Sequence, residues 1–311
     1  MTEGAGPSDA SPTKRPRPAA VSRLADPNLT NAPLLSPETS RVVSRPKQPT
    51  AAIPSSLPNR GATTTTTTTT ATLLEEACAH LVRVDGRMKR LVDAHHCRIF
   101  SPEGLEERID PFESLASGII SQQVSGAAAK AIKARFVALF NDDSTDAAAA
   151  DGEGARQKHR FPHPSQVAAT PVERLRTAGL SQRKAEYVRG LADKFVSGEL
   201  TAGMLAEAPY EEVVEKLTAV RGLGRWSVEM FACFGLKRMD VFSLGDLGVQ
   251  RGMAAFVGRD VAKLKAKGGK WKYMSEREME EIAERFRPYR SLFMWYMWRV
   301  EDTPTDVSTL E

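Results

Sequence analysis

The chain has 311 residues, 41% hydrophobic and 26% charged, with a formal charge of +4. That length suits one large domain or two lobes, and no apolar run is long enough to cross a bilayer, which argues against a membrane protein. The excess positive charge lies wholly in residues 1–72, where eight Lys/Arg face four Asp/Glu, so net charge gives no support for nucleic-acid binding by the remainder.

Residues 1–72 are rich in Pro, Ser and Thr, include the unbroken run Thr63 to Thr70, and show no apolar period. They read as a disordered tail. Within it, Lys14, Arg15 and Arg17 fit either a nuclear import signal or a solvated basic cluster. No basic region followed by an apolar core opens the chain, so a secretory signal is not expected and the compartment reads as intracellular. Three cysteines, Cys78, Cys97 and Cys233, are too few for a four-cysteine zinc or iron–sulfur site and read as reduced structural thiols.

Helical spacing begins at Leu73, with Leu74, Ala77, Cys78, Leu81, Val84 and Met88 on one face. A second helix is predicted from Pro111 (Phe112, Leu115, Ile119, Ile120) and a third over 126–140. Residues 141–164 turn acidic and then basic around alanines and glycines, which suits a surface insertion. Helices resume at Pro171, over 181–196, from Pro209 to Val220, from Arg225 to Phe234, and over 247–257 and 276–299. The fold class is therefore all-α, and residues 301–311 read as a flexible C-terminus.

Between Leu217 and Phe231 an apolar helix end meets Gly222-Leu223-Gly224 and then a new helix. Paired glycines let the chain turn tightly, and the free amides at the next helix start can receive a phosphate; an ordinary glycine-capped turn is the competing reading. Twenty residues after Trp226, Asp246 precedes a helical segment. An aspartate there can cap the helix, or it can stabilise an oxocarbenium-like transition state, or both.

These segments resemble the helix-hairpin-helix (HhH-GPD) superfamily of DNA glycosylases: Leu217, Val220, Gly222, Leu223 and Gly224 match its hairpin pattern, and Asp246 stands where the family carries its catalytic aspartate. The resemblance implies two helical lobes with DNA between them. One spans 112–240, and the other combines 73–111 with 241–300. It assigns Gly222, Leu223, Gly224 and Arg225 to DNA binding. It also implies no required cofactor beyond a monovalent sodium or potassium ion on the carbonyls of Thr218, Val220 and Leu223. Asp240 matches as a structural residue, whereas Gly245 replaces a second aspartate common among relatives.

Relatives that also cut the strand carry a lysine two residues after the last hairpin glycine, to form a Schiff base. Here that position is Trp226, which resembles the pocket tryptophan of the 3-methyladenine glycosylase branch, where an indole face selects cationic alkylated purines. A core tryptophan is the competing reading. Residues 117–128, SGIISQQVSGAA, resemble the segment beside the flipped nucleotide, with Gln122 in the pocket and Gln123 as the wedge filling the vacated stack. The stretch 285–298, RFRPYRSLFMWYMW, places Tyr289 as a second pocket aromatic, leaving Phe112, Trp295 and Trp298 to the core. The implied activity is monofunctional excision of alkylated purines such as 3-methyladenine and 7-methylguanine from duplex DNA. The protein would act as a nuclear monomer and hand an abasic site to downstream repair enzymes. A non-catalytic DNA-binding module is the alternative.

Overall fold

The structure, a computed structural model, describes residues 23–43, 68–141, 160–267 and 273–301. Lys14, Arg15, Arg17, most of the threonine run, the centre of the insertion and residues 302–311 lie outside them. Two short strands, β1 (Leu34–Leu35) and β2 (Val42–Val43), pair antiparallel with Leu34 opposite Val43. Helices follow: α1 (Leu73–Val84), α2 (Met88–Ala94), α3 (Pro102–Leu105), α4 (Pro111–Ser121), α5 (Gly126–Asn141), α6 (Pro164–Ala169), α7 (Val172–Arg176) and α8 (Gln182–Val196). Then come α9 (Ala202–Glu207), α10 (Tyr210–Thr218), α11 (Arg225–Met230), α12 (Leu247–Phe256), α13 (Val261–Lys267), α14 (Glu276–Glu284) and α15 (Arg290–Met297).

Local chemistry sets the helix starts. Asp110 accepts the Glu113 amide with Pro111 in the first turn of α4, Ser181 and Thr201 do the same for α8 and α9, and Ser275 forms a reciprocal capping box with Glu278 on α14. Arg259 also holds Glu278, and these partners pull its carboxyl down to about 2. A π-helical turn, Phe231–Gly235, prolongs α11 into the segment that links the lobes.

Two cores result. The first gathers buried residues from 112–236, among them Phe112, Phe136, Leu191, Leu217 and Val228. The second joins Leu73, Leu81, Met88 and Phe100 to Met239, Met253, Phe286, Phe293 and Met297. The π turn packs on both cores, Phe231 and the following Leu236 on the first and Ala232 and Cys233 on the second.

The N-terminal segment departs from the sequence expectation of disorder over 1–72. Ala32 and Leu34 are buried in the first core, a contribution of about 2 kcal/mol for a side chain such as Leu34. Asn31, 3% exposed, donates its side-chain amide to the Asp26, Leu29 and Lys237 carbonyls, while its backbone N–H reaches Leu236 O. Arg23 N–H donates to Thr70 Oγ1, and the Met239 N–H to Pro27 O. Burial pushes the Arg238 guanidinium down to about 10, still cationic at neutral pH, and it donates to Ala208 O and Thr30 Oγ1. Residues 23–43 thus strap the lobe junction. They show no period because they are held by main-chain bonds and single anchors, which no helix or strand template registers. The insertion boundary shifts for a similar reason: Phe161 is buried against Phe112 and Phe136, and Pro164 already opens α6. No described helix is long and apolar enough to cross a membrane.

Candidate active site

Leu217, Val220 and Leu223 are all buried in the first core, which pins the hairpin between α10 and α11 by its apolar positions. The two glycines then do different work. Gly222 has φ +96°, and a Cβ there would run into the Tyr187 ring, so both the backbone and the close approach demand glycine. Gly224, at the N-cap of α11 with no side-chain cap, leaves the space around it open. The first intrahelical bond runs from the Val228 N–H to Gly224 O, so the amides of Arg225 to Ser227 have no helical acceptor. The Val220 carbonyl accepts the Leu223 N–H and keeps a second lone pair. Neutral carbonyls of this kind, on Thr218, Val220 and Leu223, suit a weakly charged hard cation.

Asp246 meets the capping reading, and its carboxylate also reaches beyond its own helix. It caps α12 through Oδ1, which accepts the Val249 N–H at 2.8 Å. Oδ1 also accepts Trp298 Nε1–H at 2.9 Å, and Oδ2 accepts Trp226 Nε1–H at 2.8 Å. Indoles from the two lobes therefore fix one half-buried carboxylate at their junction. Three of its roughly four acceptor directions are used, and the remaining one belongs to Oδ2.

Trp226 is 52% exposed, which rules out the core reading of that residue. Beside it lies a cavity of about 520 Å³ lined by Leu115, Gly118, Gln122, Met230 and Phe234 together with Trp226. Gln122 ends α4 and donates Nε2–H to Gly222 O at 2.9 Å, tying the pocket wall to the hairpin. Gln123 is exposed with φ +54°, a left-handed conformation uncommon outside glycine. The turn is held by Lys184, whose ammonium donates to Ile120 O (2.8 Å) and Gln122 O (2.6 Å); partial burial pushes its pKa down. Arg225 is also exposed at the hairpin, paired through Nε with Glu229 Oε1 at 2.9 Å.

Tyr289 does not join this pocket. It is buried in the second core with its ring edge against His80, centroids 5.2 Å apart, just before α15. The aromatic that reaches the site is Trp298, nine residues later at the C-cap of α15: it donates to Asp246 and stacks at 5.7 Å on Phe234, a residue of the cavity wall. An eight-residue helix of about 12 Å separates the two positions, so the motif locates the helix but not the residue at its functional end. Phe112 and Trp295 are core residues, the latter beneath the Arg299 guanidinium. Asp240 accepts from Arg287 and Arg290 and so ties the segment before Asp246 to the start of α15.

Bare glycine positions bring Trp298 to Asp246. A Cβ on Gly248 would lie 2.8 Å from Trp298 Cδ1 and 3.1 Å from Asp246 Oδ1, and one on Gly252 would overlap the Met297 carbonyl. Gly245, by contrast, has open space around it. Among the described residues, no group of three or more His, Cys, Asp or Glu is arranged to hold a metal ion.

Residues 116–268, which contain both the hairpin and Asp246, match the HhH-GPD superfamily of base excision DNA repair proteins. The DNA-3-methyladenine glycosylase of Saccharomyces cerevisiae is 35% identical over 255 residues, covering 74% of this chain and 80% of that one. The chain belongs to the HhH-GPD superfamily. Within it, this chain is similar to a DNA-3-methyladenine glycosidase from Bacillus halodurans (TM-score 0.55, 29% identity, 73% of this chain and 89% of that one). It is also similar to the Schizosaccharomyces pombe 3-methyladenine DNA glycosylase solved with abasic DNA (TM-score 0.53, 26% identity, 73% and 97%). The 3-methyladenine glycosylase branch expected from Trp226 is thus the branch of the relatives that are 30–35% identical to this chain.

Glu229 and Trp298 are the site residues that sequence reading missed. Arg225 and Glu229 stand at i and i+4 on a helix, the spacing of an ion pair, which was the available signal. Trp298 offered none beyond its type.

Proposed function

We propose that the chain is a monofunctional DNA glycosylase that flips an alkylated purine out of duplex DNA and hydrolyses its bond to the sugar. The observation that carries this reading is the Asp246 carboxylate, shared by indoles of both lobes beside an aromatic cavity and a hairpin with unpaired amides. The relatives named for 3-methyladenine excision, and the abasic-DNA complex of one of them, support it.

The hairpin amides and Arg225 receive a phosphate, with Thr218, Val220 and Leu223 carbonyls holding a monovalent cation alongside. Gln123 fills the vacated stack. The extruded base enters the cavity against Trp226, where cation–π attraction of about 0.5–2 kcal/mol favours a positively charged purine. The glycosidic electron pair leaves with that base and neutralises it. The free acceptor direction of Asp246 Oδ2 faces the positive charge left on the sugar, and water adds at the anomeric carbon and loses its proton. Position 226 supplies no amine, so no Schiff base forms. The product is an abasic site, a substrate for downstream repair enzymes; the protein acts as a monomer in the nucleus.

Single-turnover base release from methylated duplex DNA tests this. Wild-type protein is expected to free alkylated purines, Asp246→Asn to be slower by about a hundredfold or more with DNA affinity retained, and borohydride to trap neither on DNA. Equal release by the asparagine variant, or none by the wild type, overturns the reading.

A further inference from the structure

Glu229 is a buried carboxylate, 4% exposed, whose partners lie on opposite sides of the site. Its Oε1 accepts Arg225 Nε–H at 2.9 Å, and the Arg225 side chain is 73% exposed on the hairpin. Its Oε2 accepts the hydroxyl of the fully buried Ser243 at 2.6 Å. The Ser243 carbonyl in turn accepts the Asp246 N–H at 3.4 Å. Trp226, next to Arg225, closes the circuit through its own hydrogen bond to Asp246 Oδ2.

A carboxylate costs free energy to bury unless it is paired, and here the cation that pairs it stands in solvent at the proposed phosphate site. Packing alone would be served better by an apolar side chain. The guanidinium has five donors; the bond from Nε to Glu229 leaves the Nη hydrogens available to a phosphate. DNA laid over Arg225 excludes water and strengthens every charged contact in the chain from phosphate to Ser243.

We propose that Glu229 is a positioning residue that couples backbone-phosphate engagement at Arg225 to the placement of Asp246, through Ser243. The proposal rests on the glycosylase reading above and deepens it. Damaged and undamaged duplex both present the phosphate, so the coupling sets how well the carboxylate is aimed once DNA is bound.

The test is a double-substitution cycle with Arg225→Met and Ser243→Ala, two residues that share Glu229 but no direct bond. It is read as base release at saturating protein and, separately, as affinity for an undamaged duplex and for an abasic-site duplex. Each substitution is expected to slow release about fivefold or more, and the pair to be no slower than the worse single variant. In a Glu229→Gln background, already slow, both should then be nearly silent. Ser243→Ala should leave affinity for undamaged duplex unchanged, a split between rate and binding that a merely structural role does not produce. Ser243→Cys, a weak donor of similar size, replaces the alanine variant if that fails to fold. Multiplicative losses, or parallel losses of rate and of affinity for undamaged duplex in Ser243→Ala, overturn the coupling while leaving the glycosylase reading intact. Absence of release from the wild type counts against the glycosylase reading instead, and additive affinities for the abasic duplex then overturn the coupling.

Discussion

In the first lobe the hairpin offers main chain, the amides after Gly224 and the carbonyls before it, with the Trp226 indole beside them. In the second lobe the surface is side chain alone: Asp246 at the N-cap of α12 and Trp298 at the end of α15. The cores beneath differ in kind. The buried residues of the first are aliphatics and phenylalanines, whereas those of the second include Met88, Met239, Met253, Met274, Met279, Met294 and Met297 among aromatic rings. A backbone surface needs one turn shape and apolar pins. A carboxylate held by two indoles needs helices brought together to within an atom's width, and flexible methionines fill the irregular space around them.

The sharpest way to break this contrast is to thicken α12 where it meets α15. Gly252→Ala would drive a methyl into the Met297 carbonyl, which is backbone and cannot turn aside. The expected cost is about 3 kcal/mol, measured by urea unfolding, with α15 and Trp298 displaced from Asp246. Stability within about 0.5 kcal/mol of wild type would mean that α15 is free to shift and that its close approach does not set the site.

Gly222→Ala is the matching change in the first lobe. There the overlap with the Tyr187 ring is shallower than that with the Met297 carbonyl, although Tyr187 Cβ, 2.8 Å away, cannot turn aside and φ is positive, so the expected loss is nearer 2 kcal/mol. The difference should show in kind as well as size. Gly222→Ala should weaken binding to undamaged duplex and leave the rate at saturation largely intact, whereas Gly252→Ala should spare affinity and slow release. Salt-dependent equilibrium binding beside single-turnover rates separates the two, and similar profiles for both variants would erase the distinction between lobes.

What could be read from the sequence follows the same line. The hairpin was legible because every requirement is local: Leu217, Val220 and Leu223 as pins and Gly222 as the turn, within seven residues. Asp246 was legible because a cap and its helix are contiguous. Trp298 was not, since its partner lies 52 residues away and only the packing of α12 against α15 brings them together. Gly248 and Gly252, one helical turn apart, carried that information as a bare helix face, but glycine in a helix reads first as a weakness. The strap over 23–43 escaped for the opposite reason. Its order comes from Asn31 reaching the Lys237 carbonyl and Arg23 reaching that of Leu105, contacts without any repeating pattern.

The smallest effect tests whether Trp298 acts through its ring or through its N–H. Trp298→Phe keeps an aromatic face near Phe234 and removes the donor to Asp246 Oδ1. A hydrogen bond to an ionised group is worth about 1.5–3 kcal/mol, but the Val249 amide still holds that oxygen, so only part of this should be lost. Base release is therefore expected to slow by about tenfold, with DNA affinity unchanged and unfolding stability altered far less than in Gly252→Ala. If Trp298→Phe releases base at the wild-type rate, the second lobe contributes only the carboxylate and its cap. Placement of Asp246 would then rest on Trp226, and the division of labour between the lobes would reduce to a single hydrogen bond from the hairpin side.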